Sequence, residues 1–138
     1  MEEMEQARAY AYADFEEPHN HFIELIKIHF PGEEFDRLVL DLGCGAADIC
    51  RRFAEAFPRM RMHAIDGSEA MLHFARITID TLRLHEQVRL FKRTLPTETL
   101  PQEHYSAIIC NSLLHHLDEP QVLWQTIKQF AAPGAPVF

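Results

Sequence analysis

Cysteine, glycine and positive charge are all scarce in this sequence, and long apolar runs are missing. The three cysteines, Cys44, Cys50 and Cys110, are an odd number in apolar or glycine-rich segments, with no C-x-x-C pair among them. That pattern argues against a disulfide framework and a structural zinc site, and it reads as reduced thiols in a cytoplasmic protein. Thirteen Lys and Arg stand against 21 Asp and Glu, a formal net charge of -8 with histidine neutral. Such a balance argues against nucleic acid as a partner, because affinity for it comes largely from cationic contacts to phosphate. Most of the excess lies in residues 1–17, which hold six acids and one base. The longest apolar stretches, such as Leu38–Leu40 and Ala107–Cys110, fall far below the roughly 18 residues that span a bilayer. Glu2, Glu3 and Glu5 stand where a secretory or transit signal would need positive charge, so no membrane role is expected.

What is present is the composition of a soluble globular chain, 47% hydrophobic and 25% charged over 138 residues. That length allows one domain, 1–138, with 1–35 as an N-terminal helical leader. From residue 37 onward two kinds of segment alternate. Arg37–Leu42, Arg61–Asp66, Val88–Lys92 and Tyr105–Cys110 read as buried strands. Between them, Ile49, Phe53 and Phe57 recur at helical spacing, as do Leu72, Ala75, Ile79 and Leu82 behind a Ser68 cap. Arg76, Asp80 and Arg83 are spaced to pair on the outer face of that second helix. Asp118 and Gln121 form a capping-box pattern ahead of Val122, Leu123, Ile127 and Phe130, and Pro133-Gly134 closes that helix. A helix over 18–30 precedes the first strand, with Phe22, Ile26 and Phe30 on one face and Pro31-Gly32 as its stop. Strand–helix alternation of this kind predicts an α/β fold with a doubly wound parallel sheet and flanking helices.

The informative segment is Val39-Leu40-Asp41-Leu42-Gly43-Cys44-Gly45-Ala46-Ala47-Asp48. A strand ends near an acid, two glycines make a tight turn, and a helix begins with free N–H groups facing any ligand. A dinucleotide fingerprint would place a third glycine at Asp48, where an acid would repel the pyrophosphate. Cys44 fills a place that needs a small side chain. The adjacent His115 and His116 invite a metal or a general base; no carboxylate cluster supports a metal, so none is expected. His19-Asn20-His21 spells the letters of a nuclease motif without its zinc-binding surroundings and is read as coincidence.

Asp41, Gly43 and Gly45 resemble motif I of class I S-adenosylmethionine-dependent methyltransferases, acid-x-Gly-x-Gly-x-Gly, with Ala47 at the third glycine. His63-Ala64-Ile65-Asp66-Gly67-Ser68 is similar to that family's second strand, whose terminal acid holds both ribose hydroxyls. Asp66 lies 21 residues past Gly45, close to the roughly 20 one crossover unit requires. Two carboxylate oxygens match two adjacent hydroxyl donors. The resemblance further implies Met71 against adenine and Asn111 and Ser112 at the methionine end of the cofactor. Where the family often has an acid facing adenine, this chain has Thr94 and Leu95. Ser106 stands where many members place an acid. The resemblance covers residues 36–138 and implies a Rossmann-like fold.

The expectation is an enzyme that carries a methyl group from S-adenosyl-L-methionine to a small-molecule acceptor, leaving S-adenosyl-L-homocysteine. His115 or His116 is the base if the acceptor must lose a proton. Tyr10 and Tyr12 are read first as helix-packing residues and second as an aromatic lid over a cationic sulfonium. A truncated or non-catalytic S-adenosylmethionine-binding module and an NAD(P)-binding oxidoreductase domain are the alternatives. The family's sheet has seven strands, and Ala135-Pro136-Val137-Phe138 reads as a fifth strand cut off at its start. The edge beside Tyr105–Cys110 is therefore expected to be unpaired and to promote a homodimer.

Overall fold

The computed structural model describes residues 2–30, 35, 37–97, 99–111 and 119–138. Two helices lead the chain, α1 (Glu2–Ala11) and α2 (Glu16–His29). Strand β1 (Leu38–Leu42), helix α3 (Asp48–Ala56) and strand β2 (Arg61–Asp66) follow. Helix α4 (Glu69–Thr81), strands β3 (Val88–Lys92) and β4 (Ala107–Ile109) and helix α5 (Pro120–Phe130) complete the order. The strands pair in parallel in the order β3-β2-β1-β4, as the helical crossovers require. The order reverses between β1 and β4, and the carboxyl ends of strands at such a switch point are where open α/β sheets bind ligands.

The period of two along each strand explains the two layers. Val39, Met62, Ala64, Ala107 and Ile109 face one side, where Ile23 and Ile26 of α2, Phe53 of α3 and Leu72 of α4 cover them. Leu40, Leu42, Ile65 and Ile108 face the other side and pack against Leu123 and Phe130 of α5. Both faces of β1 and β4 are thus buried, and those two strands read as nearly continuous apolar runs for that reason.

Several expectations are corrected. The buried stripe of α2 is His19, Ile23 and Ile26, with Phe22 and Phe30 only partly covered. Leu82 is exposed because α4 has already ended at Thr81. Arg76 bonds Glu69, at 2.7 Å, instead of Asp80, which instead meets His85. Glu119 stands at the start of α5 without a side-chain cap; Asp118 lies outside the described residues, as does Pro31-Gly32. The edge of β4 away from β1 is paired. Tyr105 bridges Ala131 and Ile108 bridges Val137, with Phe138 N–H donating to Ile108 O at 2.9 Å and Cys110 N–H to Phe138 O at 2.9 Å. Residues 136–138 thus occupy the fifth-strand position, and the unpaired edge expected beside Tyr105–Cys110 is absent. Ser106 serves the backbone. Its hydroxyl accepts from Leu38 N–H (2.9 Å) and donates to Leu38 O (3.1 Å), splicing β4 onto β1.

Candidate functional site

The turn after β1 needs left-handed backbone at three places: Gly43 at φ 80°, Gly45 at φ 55° and Ala47 at φ 71°. Glycine takes this conformation freely; Ala47 takes it at a cost, in a fully buried position. Gly43 and Cys44 donate N–H bonds of 2.9 Å to Ile65 O, which fixes the turn to the end of β2. At Gly45 the side-chain space is spoken for. An added Cβ would lie 3.1 Å from Met71 Cε and 3.7 Å from Tyr10 Cε1. Gly45→Ala should therefore lower stability by about 1–2 kcal/mol through the left-handed backbone. It should also weaken any ligand lying between Met71 and Tyr10; urea unfolding and calorimetry read the two effects separately.

Asp66 ends β2 and clamps both turns. Its Oδ2 accepts from Gly45 N–H at 2.9 Å, and its Oδ1 accepts from Ser68 N–H at 2.8 Å. Ser68 caps α4 by accepting from Met71 N–H at 3.2 Å. Each Asp66 oxygen retains a lone pair for a further donor.

Asp41 is 2% exposed beneath the turn, where Cys50 of α3 donates its thiol to Oδ2 at 3.1 Å. Burial pushes its carboxyl up to about 7; the Cys50 bond opposes that rise and the nearby Asp66 charge adds to it. The Cys44 thiol contact, burial and the Asp41 charge hold Cys50 well above the ordinary thiol range. A buried thiol in that state is a packing group, and it is no nucleophile.

Two cavities meet at this turn. One, of about 440 Å³, is lined by Gln6, Asp66, Ser68 and Met71; the other, of about 710 Å³, by Phe15, His19, Asp41, Cys44, Asp48 and Arg52. Tyr10, Gly43, Gly45 and Asn111 line both and form the boundary between them. Tyr10 gets there because α1 docks through Ala7 against Ala46, Ala70 and Phe74. Of the expected residues, Asp41, Gly43, Cys44, Gly45, Asp66, Ser68, Met71 and Asn111 come together here. Gly67 lies just outside, where an added Cβ would meet Thr94 Oγ1 at 3.1 Å. Thr94 and Leu95 line neither cavity; Leu95 packs into the apolar layer around Leu40, on the other side of the sheet. Ser112, His115 and His116 lie outside the described residues. Among the described residues no group of three or more His, Cys, Asp or Glu is placed to hold a metal.

Sequence reasoning passed over a second cluster. His19 of α2, 8% exposed, sets Nδ1 against Asp48 Oδ2 at the start of α3. Asp48 also accepts from Arg52 Nε at 2.8 Å and Arg51 Nε at 3.1 Å. Burial works to raise the Asp48 carboxyl, but the bonds from Arg52 and His19 outweigh it and hold it below the usual range. The signal was available in part, since Asp48 follows the glycine turn and His19 sits on the buried face of its helix.

A family profile described as a methyltransferase domain matches residues 40–137. A release factor glutamine methyltransferase of Rhodopirellula baltica is 28% identical over 97 residues, 70% of this chain and 33% of that protein. A ubiquinone biosynthesis O-methyltransferase of Pseudoalteromonas translucida is 27% identical over 110 residues, 78% of this chain and 44% of that protein. The chain thus matches less than half the length of these curated relatives. A solved structure of a SAM-dependent methyltransferase from Aquifex aeolicus superposes with a TM-score of 0.76 at 23% identity, covering 94% of this chain and 68% of that one, a likeness of fold.

Proposed function

The chain belongs to the methyltransferase-domain family, and from that premise we propose that it binds S-adenosyl-L-methionine and directs methyl transfer to a small-molecule acceptor. The observation that carries this reading is the Asp66 carboxylate, held by Gly45 N–H and Ser68 N–H on the rim of the smaller cavity. Its free lone pairs suit the paired hydroxyls of a ribose, and Met71 and Tyr10 offer apolar surface for the base. The close approach of Met71 and Tyr10 to Gly45 is a cradle that any larger residue would fill. Asn111, on the boundary with the larger cavity, is suited to the methionine end.

The cofactor, when bound, supplies an activated methyl group. This chain's residues have only to bind, align and keep water away. The larger cavity beside the turn is the proposed acceptor chamber. Its size suits a small molecule, and the net charge of -8 disfavours nucleic acid. No helix among the described residues is long and apolar enough to cross a membrane.

Thermal unfolding tests the reading. A ligand that binds only the folded state at about a hundred times its Kd adds about 2.7 kcal/mol, a rise on the order of 10 °C for a chain of this size. S-adenosyl-L-homocysteine is expected to give such a rise and NAD almost none. A larger rise with NAD would overturn the assignment.

A further inference from the structure

We propose that His19, oriented by Asp48, accepts the proton of a hydroxyl-bearing acceptor, which makes this an oxygen-directed transferase; the proposal rests on the methyl-transfer reading above. His19 is fixed on three sides. Nδ1 meets Asp48, the ring face stacks on Phe15 with centroids 5.1 Å apart and planes 19° apart, and Nε2 lies 3.4 Å from Asn111 Nδ2. Asp48 is held ionised by Arg51 and Arg52, so it can only accept. The Nδ1 proton therefore points at Asp48, and the Nε2 lone pair is left facing Asn111.

That end of the ring opens on the larger cavity, which both His19 and Asn111 line, while Asn111 also lines the chamber that contains Asp66. In the ligand-free chain Asn111 Nδ2 donates to Nε2 across 3.4 Å, a long bond that a hydroxyl inserted between the two would replace with two. A hydroxyl matches both, since its proton goes to Nε2 while its oxygen accepts from Asn111. An ammonium has no lone pair for Asn111, and a carboxylate has no proton for Nε2. In the transfer, the new oxygen–methyl bond forms as the methyl–sulfur bond breaks, and the sulfur keeps that bonding pair. The hydroxyl proton passes to Nε2 and then to solvent through the open cavity. A tie between α2 and α3 alone would need only the Nδ1–Asp48 contact, and it leaves the placement of Asn111 at Nε2 without a purpose.

Imidazole nitrogen NMR on the whole chain, loaded with S-adenosyl-L-homocysteine, tests this without any transfer assay. His19→Gln assigns the resonance. In mildly alkaline buffer the wild type should carry the Nδ1 proton, and Asp48→Ala should move it to Nε2. Phenol at millimolar concentration should shift the Nε2 signal, whereas its methyl ether, which has no proton to give, should not. The Asp48→Ala chain should lose the phenol response. A wild-type ring protonated at Nε2, or equal responses to phenol and its ether, would overturn the proposal while leaving cofactor binding intact. Calorimetry on the same sample separates the two failures, because a chain that does not bind S-adenosyl-L-homocysteine sinks the methyl-transfer reading itself.

Discussion

Asp66→Ala should reduce affinity for S-adenosyl-L-homocysteine by at least about tenfold and should also destabilise the protein without ligand. The first effect follows from loss of the acceptors for two hydroxyls, each charge-assisted bond being worth roughly 1.5–3 kcal/mol. The second follows from the clamp. Without the carboxylate, Gly45 N–H and Ser68 N–H lose their partners at 2.9 and 2.8 Å, and both bonds are only partly buried. Water replaces part of what is lost, so the stability cost is about 1–3 kcal/mol. A strand end is ordinarily tolerant of a small residue; this one holds the glycine turn to α4. Asp66→Asn divides the two effects. Its single carbonyl can serve one of the amides, while its NH2 faces the other as a second donor. The expected order in urea midpoint is wild type, Asn, Ala, and calorimetry should give both variants weakened binding. Unchanged affinity in a folded Ala variant would mean that the ligand's hydroxyls are held elsewhere.

The sheet and the glycine turn were legible because their signals are local and strong. Arg61–Asp66 and Val88–Lys92 match their strands end to end, since Met62, Ala64 and Ile65, and Val88, Leu90 and Phe91, make short apolar-rich segments between helical ones. Ile49 and Phe53 mark α3 because large apolar side chains at helical spacing leave few alternatives. Residues 1–35 read as a helical leader, but the bounds of α1 were not legible. Among its described side chains only Ala7 is buried in the core, and a helix that docks through alanines gives almost no hydrophobic period. The His19–Asp48 pair joins residues 29 apart on two different helices, a distance no spacing rule covers. Thr94 and Leu95 were placed by the resemblance alone, and the chain sends Leu95 to the opposite layer because its side chain is apolar and a buried cluster lies there. The paired edge of β4 was missed because Ala135-Pro136-Val137-Phe138 reads as a fifth strand cut off at its start, and Pro133-Gly134 only as a stop. It is a turn, with Gly134 at φ 77°, that brings Pro136–Phe138 alongside.

Asp41→Asn should stabilise the ligand-free protein in neutral and alkaline buffer while weakening the cofactor. The folded chain holds the Asp41 proton up to about pH 7, because the carboxyl is buried, with the Cys50 thiol as its side-chain donor among the described residues and the Asp66 charge close by. The unfolded chain releases that proton near the ordinary value of 3.8. Between these two values the folded state binds more protons, so rising pH draws the equilibrium toward the unfolded state. The cost is complete above about pH 7 and corresponds to about 4 kcal/mol, at roughly 1.4 kcal/mol for each tenfold change in proton affinity. The amide of the variant carries no charge and escapes that cost. The variant should match wild type near pH 4, gain on it as the pH rises, and hold a constant lead above about 7. Urea midpoints across that range read the difference directly. Binding should move the other way, because Asp41 lies beneath the glycine turn that borders both cavities, where a cationic cofactor favours the ionised carboxylate and the amide cannot replace it. Stability gained by removing a site charge, at the expense of ligand, is the usual mark of a residue retained for function. A stability difference that does not change with pH would show that Asp41 keeps an ordinary carboxyl, and the buried charge beneath the glycine turn would then need another partner.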